Sequence, residues 1–292
     1  MPIKHAILGA GAIGGLIGTA LAWLGEDVTV IIRAETLPNY PGNLTLERPQ
    51  GTISAPAKAS AWLTEPVDVL WISTKSYQLH AALESARAMP ACVVPLLNGI
   101  DHVEVLRERF GHDQVLPGII AVEAEKIAPG RFVQRTPMVR LNLAANGDRL
   151  LGPIVARLSQ IGFACQFVAN EQTLLWSKLC FLAPFALVTS ASGMNKGEIL
   201  GSPEWKQKLV SAIDEACAVA KASGAEVDGP KLRPVFDSMP DGMRSSMQKD
   251  VAAGLPLELD AISGPILRGG ERYGIDVTTT AELAAVIRAK AA

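Results

Sequence analysis

Three glycines near the start of this 292-residue chain have the most specific chemical arrangement in the sequence. Gly9, Gly11 and Gly14 form the pattern G-x-G-x-x-G directly after a short apolar run. In a strand–turn–helix context, the first glycine makes a tight turn, the second lets the backbone approach a pyrophosphate, and the third lets helix and strand pack closely. The helix that begins here offers free N–H groups, including those of Ala12 and Ile13, to phosphate oxygens. The pattern therefore predicts a dinucleotide site.

The residues after the second apolar run, 28–32, indicate which dinucleotide is bound. An acid at this position usually binds the ribose 2′-hydroxyl of NADH, whereas an arginine accommodates the 2′-phosphate of NADPH. This run ends in Arg33, whose planar fork of donors suits a phosphate, and Glu35 follows two residues later. Arg33 favours NADPH, while Glu35 leaves open a contact with a ribose hydroxyl.

Two further polar side chains follow apolar runs in the first half of the chain. Lys75 comes after the run 67–73, and Asn98 comes after the run 92–97. Helix-like segments separate these runs, which predicts a parallel sheet covered on both faces. Ligands of such sheets bind at the carboxyl ends of the strands. Arg33, Lys75 and Asn98 are therefore expected at the ligand-binding edge.

The pattern changes beyond Asn170, where strand alternation gives way to helical periodicity. We predict a last strand at 163–168, a hairpin between 44–47 and 52–55, and a short β excursion at 130–142. The second half is predicted to contain helices at 171–183, 203–223, 231–239, 245–253, 257–273 and 279–291. This organisation predicts an α/β fold with a parallel-sheet domain over residues 1–168 and an all-helical domain over residues 169–292.

Composition narrows the class of protein. Hydrophobic residues make up 49% of the chain, so a substantial core can form. The net charge of −2, without a long run of one sign, argues against nucleic acid or an anionic membrane as partner. The histidines lack metal-ligand spacing, and no segment is expected to be long enough to cross a bilayer. The cysteines are widely spaced, as is typical of buried thiols in a reduced, cytosolic compartment: Cys92, Cys165, Cys180 and Cys217.

Several short segments together resemble the ketopantoate reductase (2-dehydropantoate 2-reductase) family. They occur in family order and span nearly the whole chain: 9–14, Lys75, Leu96-Leu97-Asn98-Gly99, Trp176-Ser177-Lys178-Leu179, Ser245-Ser246-Met247, Glu258-Leu259-Asp260 and Ser263-Gly264. The resemblance implies an N-terminal Rossmann domain and a helical C-terminal domain. It also implies NADPH-dependent reduction of a 2-oxo acid in the cleft between them, as in the reduction of 2-dehydropantoate during pantothenate biosynthesis.

The resemblance assigns roles to five side chains. Lys178 matches the catalytic lysine that protonates the carbonyl oxygen, a role that suits a cationic acid beside a developing oxyanion. Glu258 matches the glutamate that interacts with substrate and orients the site. Ser246 matches a serine that binds the substrate carboxylate, Asn98 an asparagine that touches ribose and substrate, and Lys75 a lysine near both. Without the resemblance, Lys178 would be interpreted as a surface lysine.

The chain departs from the family pattern after its lysine. The family usually carries two asparagines there, whereas this sequence has Leu182 and Ala186. The loss of two amides favours a more apolar oxo acid as substrate, although Asn195 could bind substrate in their place. Two other interpretations stay open: an opine-type or β-hydroxy acid dehydrogenase, and a non-catalytic NADPH-binding regulatory protein. The expected partner is a small-molecule 2-oxo acid, and a homodimer is compatible with the sequence.

Overall fold

The computed structural model describes residues 2–291, which form two compact units. The first unit comprises 2–97 and 102–169, and the second comprises 98–101 and 170–291. The short segment 98–101 therefore belongs to the second unit, although the chain on either side of it belongs to the first.

The first unit contains both strands and helices. Its strands are β1 (Lys4–Leu8), β2 (Asp27–Ile31), β3 (Asn43–Glu47), β4 (Ile53–Pro56), β5 (Lys58–Ser60), β6 (Val69–Ile72), β7 (Cys92–Pro95), β8 (Gly118–Ala121), β9 (Ala124–Ala128), β10 (Arg131–Gln134), β11 (Val139–Ala144) and β12 (Phe163–Val168). Its helices are α1 (Ala12–Trp23), α2 (Leu79–Leu83), α3 (His102–Phe110) and α4 (Asp148–Ser159), and three short 3-10 turns lie at Ala34–Asn39, Ser76–Gln78 and Ala145–Gly147.

A five-stranded parallel sheet forms the centre of the first unit, with the strand order β5-β2-β1-β6-β7. Ile7 of β1 lies opposite Val30 of β2 on one side and Trp71 of β6 on the other, and all three are fully buried. Continuous apolar strands of this kind are typical of a parallel sheet covered on both faces. The order is that of a Rossmann-type sheet, which confirms the predicted fold class.

Helix α1 is apolar all round and buried from Gly14 to Ala22, because a second sheet covers it. That sheet has the order β4-β3-β10-β9, and it contains the predicted hairpin as the antiparallel pair β3–β4. Phe132 of β10 packs so closely on α1 that a Cβ at Gly15 would lie 2.0 Å from its ring. The β excursion is thus larger than predicted, since β9, β10 and β11 extend over two sheets; the remaining sheet has the order β12-β11-β8.

The second unit is helical among the described residues. Its helices are α5 (Glu171–Ser192), α6 (Lys196–Gly201), α7 (Pro203–Ala222), α8 (Gly229–Asp237), α9 (Ser246–Ala252), α10 (Leu259–Tyr273) and α11 (Thr278–Ala291). Helix α5 is its central element, and it contacts α7, α9, α10 and α11. Helix α6 was not predicted, because its short polar segment has too few apolar residues to show a helical period.

Helix α5 is longer than predicted, since it continues past Pro184 to Ser192. Proline in a helix interior removes one backbone hydrogen bond, so the sequence favoured an end before it. The helix continues because the residues after Pro184 are buried in the apolar core of this unit. At 22 residues it also has the length and composition of a membrane span, which makes the expectation of no such segment wrong. Its apolar window is 78% buried within the fold, as in the core helix of a soluble protein.

Candidate active site

The glycine loop has the geometry that a bound pyrophosphate requires. Gly9 has a φ of +96°, and a Cβ there would lie 2.8 Å from the backbone nitrogen of Thr74. A Cβ at Gly14 would lie 2.2 Å from the carbonyl oxygen of Gly9, so the helix and the loop approach as closely as the pattern predicts. A Cβ at Gly11, by contrast, would meet nothing within 4 Å among the described residues. The open space beside Gly11 fits a ligand that approaches the backbone.

Helix α1 begins at this loop and directs its first turn toward the same space. The Gly11 amide donates to the Gly9 carbonyl over 2.8 Å, and the Gly15 amide donates to the Gly11 carbonyl over 2.9 Å. The N–H groups of Ala12 and Ile13 lie in the first turn, which has no preceding helical carbonyls to bond. They are therefore available to phosphate oxygens, together with the positive end of the helix dipole.

Arg33 lies two residues after β2, and its side chain is 79% exposed. Its Nε is 3.4 Å from Oε1 of Glu35, so the two candidate cofactor-selecting residues form an ion pair. An exposed pair of this kind contributes about 0–1 kcal/mol, and a phosphate could replace the carboxylate. The alternative role of Glu35 as a ribose ligand remains a prediction. Lys75 is half-buried and directly precedes a 3-10 turn after β6.

Three of the predicted site residues lie together in the second unit. Nδ2 of Asn98 donates to Oε2 of Glu258 over 3.1 Å, although 160 positions separate them in the sequence. Glu258 is only 4% exposed and directly precedes α10. Lys178 of α5 is partly buried, and the Glu258 carboxylate acts on its charge. The arrangement thus combines a lysine, a carboxylate and an amide at one place.

The segment 98–101 is held against α10 by a close backbone approach and by an ion pair. Gly99 has a φ of +84°, and a Cβ there would lie 2.4 Å from the carbonyl oxygen of Ala261. Arg268 pairs with Asp101 of the segment and, over 3.1 Å, with Asp260 of the helix. These contacts hold Asn98 in the orientation in which it reaches Glu258. The Asn-Gly sequence therefore does more than form a turn, because Gly99 permits the close approach to α10.

The electrostatic environment of Lys178 makes it a stronger acid than an ordinary lysine. Burial disfavours the charged ammonium and lowers the pKa of Lys178 from 10.5 to about 8, while the negative charge of Glu258 partly opposes that shift. A group with a pKa near the working pH can both give and regain a proton, which is the requirement for general acid–base catalysis. This property distinguishes Lys178 from a solvated surface lysine.

Ser246 is the first residue of α9 and is exposed, while its neighbour Ser245 is buried and caps the helix. Oγ of Ser245 accepts a hydrogen bond from the amide of Gln248 over 3.1 Å and lies 2.7 Å from Oγ1 of Thr189. Thr189 donates its own proton to the Phe185 carbonyl over 2.7 Å, so Ser245 is the donor to Thr189. This chain of hydrogen bonds ties the start of α9 to α5.

The positions that depart from the family pattern differ in their surroundings. Leu182 is half-buried and lies one helical turn after Lys178, on the same face of α5. Ala186 is 1% exposed and belongs to the apolar core of the second unit, so its side chain offers no surface to a substrate. Asn195 forms a capping box with Glu198 at the start of α6, which occupies its Oδ1. Its role as a substrate ligand remains a prediction that depends on Nδ2.

The sequence patterns did not indicate two residues that bear on the candidate sites, Thr189 of the second unit and Lys126 of the first. Thr189 was overlooked because α5 was expected to end before Pro184. Lys126 of β9 was overlooked because the β excursion was expected to begin at Gly130. A prediction with a longer α5 and an earlier start of the β excursion would have included both residues. Among residues 2–291, no group of three or more His, Cys, Asp or Glu side chains could hold a metal ion.

Family models and curated relatives match nearly the whole chain. The model described as ketopantoate reductase PanE/ApbA matches residues 5–147, and the model of the C-terminal region of the same family matches residues 170–291. A 2-dehydropantoate 2-reductase of Caulobacter vibrioides is 29% identical, over 98% of both chains. One of Archaeoglobus fulgidus is 25% identical, over 97% of this chain and 96% of its own.

Solved structures show the same fold at lower identity. A PanE/ApbA family ketopantoate reductase from Ralstonia eutropha superimposes with a TM-score of 0.87 at 24% identity, over 99% of this chain and 98% of its own. D-mandelate dehydrogenase, solved with NADH and anilino(oxo)acetate, gives a TM-score of 0.86 at 23% identity over the same shares.

The fold and the matched models define an oxidoreductase with a Rossmann-type unit and a helical C-terminal unit. The chain belongs to the ketopantoate reductase PanE/ApbA family.

Proposed function

We propose that this protein catalyses the NADPH-dependent reduction of a 2-oxo acid to a 2-hydroxy acid, with 2-dehydropantoate as the first substrate to test. The observation that carries the proposal is the grouping of Lys178, Glu258 and Asn98, in which burial lowers the pKa of Lys178 to about 8. The curated relatives named 2-dehydropantoate 2-reductase, which match nearly the whole chain, support the same reaction.

In this proposal the residues of the second unit hold the substrate and move one proton. The ammonium of Lys178 donates to the carbonyl oxygen as negative charge develops on it, and the positive charge stabilises that oxygen beforehand. The carboxylate of Glu258 keeps Lys178 protonated to a higher pH than burial alone would allow. Asn98 holds Glu258 in place through the hydrogen bond of its Nδ2, and its Oδ1 remains for the substrate. The hydroxyl of Ser246 binds the substrate carboxylate.

The cofactor in this proposal is NADPH, held by the first unit. The dihydronicotinamide ring supplies the hydride when it is bound. The open space at Gly11 accepts the pyrophosphate, and the free amides of Ala12 and Ile13 bind its oxygens. Arg33 exchanges its exposed ion pair with Glu35 for the 2′-phosphate. Lys75, half-buried after β6, is proposed to lie near both cofactor and substrate. The four free cysteines suit a reducing cytosol, and a homodimer remains a prediction.

A second substrate is favoured by one specific observation. Leu182 is partly exposed one turn after Lys178, so an apolar side chain stands beside the proposed proton donor. An unhydroxylated branched 2-oxo acid would bury its tail against that leucine at no hydrogen-bonding cost.

One assay tests the proposal directly. Oxidation of NADPH and of NADH is followed against a panel of 2-oxo acids that includes 2-dehydropantoate, unhydroxylated branched acids and an aromatic one. Turnover of at least one 2-oxo acid, with Lys178→Met as the inactive comparison, is the expected result. A chain that binds NADPH but turns over none of the panel would instead be a binding protein or would act on another substrate class.

A further inference from the structure

A cavity of about 120 Å³ opens in the first unit beside the glycine loop. Its lining includes Ala10 of that loop, Ile32 at the end of β2, Thr36 and Tyr40 of the following turn, and Lys126 and Phe132 of the second sheet. Because the glycine loop holds the pyrophosphate and the end of β2 selects the ribose substituent, a cavity lined by both lies along the adenosine half of a dinucleotide.

The walls of this cavity combine apolar and polar surface in the way a nucleoside needs. Tyr40 donates its hydroxyl to the carbonyl of Ala57 over 2.8 Å, and burial raises its pKa to about 12, so the ring is a fixed and neutral wall. Phe132, the second aromatic residue of the lining, is 1% exposed and packs against Gly15 of α1. Thr36 adds a hydroxyl on the side of β2. A pocket of this composition, with few polar groups, is typical of small-ligand sites.

Lys126 of β9 is the one cation among the described residues that line the cavity. It lies directly across from Phe132 in the antiparallel pair β9–β10, and directly opposed residues of such a pair project from the same face. Since Phe132 projects toward α1, Lys126 on the edge strand β9 projects to the same side of the sheet, where it lines the cavity. Lys126 is exposed, so its ammonium is accessible to a ligand that enters the cavity.

We propose that Lys126 is a second specificity-determining residue for NADPH, which contacts the 2′-phosphate from the second sheet while Arg33 contacts it from the end of β2. The inference rests on the proposed NADPH dependence and extends it to a residue from a different sheet. Lys126 lines the cavity, and Arg33 directly follows the lining residue Ile32, so two cations could hold a dianionic phosphate there more firmly than one exposed arginine. Charge-assisted hydrogen bonds to phosphate are also stronger than hydrogen bonds between neutral groups.

The test uses two nucleotides that differ only in the 2′-phosphate, adenosine 2′,5′-bisphosphate and 5′-AMP, titrated calorimetrically against the full chain. The wild type should bind the bisphosphate at least about tenfold more tightly. Lys126→Ala should weaken the bisphosphate by about tenfold and change 5′-AMP by less than about twofold. Lys126→Arg should preserve the preference. Lys4→Ala removes an exposed lysine at the amino end of β1 and should change neither affinity.

The other outcomes separate this inference from the proposed function. If Arg33→Ala abolishes the preference for the bisphosphate while Lys126→Ala leaves it intact, the role of Lys126 is overturned and NADPH dependence stands. If Lys126→Ala weakens both nucleotides equally, its contact is not with the 2′-phosphate and the inference is also overturned. A wild type that does not distinguish the two nucleotides would overturn NADPH dependence and this inference together. Because Lys126 lies on an edge strand and is exposed, its variants are expected to unfold at the wild-type temperature.

Discussion

Asn98 donates to Glu258 over 3.1 Å, and this single hydrogen bond joins two segments that lie 160 residues apart. It places an amide and a buried carboxylate beside Lys178, whose charge Glu258 stabilises. The direction of the bond matters, because Nδ2 donates to Glu258 while Oδ1 of Asn98 accepts no hydrogen bond within residues 2–291. Each of these three side chains by itself could have a purely structural role. Their grouping at one place is what favours a catalytic role.

Replacement of the proton donor should separate activity from stability. Lys178→Met is expected to lower kcat by about a hundredfold or more, the usual scale for a positioned acid. It should also raise the free energy of unfolding at pH 7, because the lowered pKa shows that burial of the ammonium costs more than Glu258 restores. Steady-state kinetics and thermal unfolding measure the two effects. Near-native turnover of the variant would show that Lys178 is not the proton donor.

The pKa of Lys178 also predicts opposite pH profiles for the two directions of the reaction. Reduction needs the ammonium, so its kcat should fall as the pH rises through about 8. Oxidation of the 2-hydroxy acid needs the neutral amine, so its kcat should rise to a plateau above the same pH. The folded pKa lies below the ordinary value of 10.5, so the stability cost of Lys178 is full below pH 8 and is relieved as the pH rises toward 10.5. Parallel profiles in the two directions would contradict the assignment.

The pH at which kcat changes in these profiles, here called the break, should depend on Glu258. Because its negative charge raises the pKa of Lys178, Glu258→Gln should move the break to a lower pH and reduce kcat at neutral pH. The glutamine still offers an acceptor to Asn98, so the local geometry is preserved. Glu282→Gln is the matched control, since this exposed acid of α11 lies outside the group of Lys178, Glu258 and Asn98 and should leave the break in place. A break that moves equally in both variants would indicate a general charge effect.

Much of the fold could be predicted from local pattern, as β12 and the glycine loop show. The strand Phe163–Val168 was predicted at its observed bounds, and the glycine pattern at 9–14 predicted the strand before it and the helix after it. Helix α6 could have been found from its capping box, because Asn195 and Glu198 have the required spacing. The contact of Asn98 with Glu258 could not, since it depends on Gly99 packing against Ala261 far along the chain.

The hydrogen bond between Thr189 and Ser245 should control how Ser246 is presented. Thr189→Val keeps the shape of the side chain but leaves the buried Ser245 hydroxyl without its acceptor, at a cost of about 1–3 kcal/mol. The expected result is a KM for the 2-oxo acid that rises by about fivefold while kcat stays within about twofold, because the proton donor is untouched. Thr189→Ser should restore the wild-type KM. If Ser246→Ala raises KM but Thr189→Val does not, Ser246 binds substrate without this support.

Leu182 is the residue through which this chain is expected to choose among 2-oxo acids. It lies one turn after Lys178 and is half-buried, whereas Ala186 is enclosed by the core, so of the two departures from the family pattern only Leu182 offers apolar surface beside the donor. A leucine cannot bond the hydroxyl of 2-dehydropantoate, and a buried group left unpaired costs about 1–3 kcal/mol. The wild type should therefore show a higher kcat/KM for unhydroxylated branched 2-oxo acids than for 2-dehydropantoate.

Leu182→Asn tests this preference, because it supplies an amide at the same position on α5. The ratio of kcat/KM for 2-dehydropantoate to that for a branched unhydroxylated acid should rise by about tenfold or more. Leu182→Ala is the control, since it removes the apolar surface without adding an amide and should lower kcat/KM for the branched acid alone. If the wild type already prefers 2-dehydropantoate and Leu182→Asn brings no improvement, Leu182 does not face the substrate. Reduction of 2-dehydropantoate would then be the activity to assign.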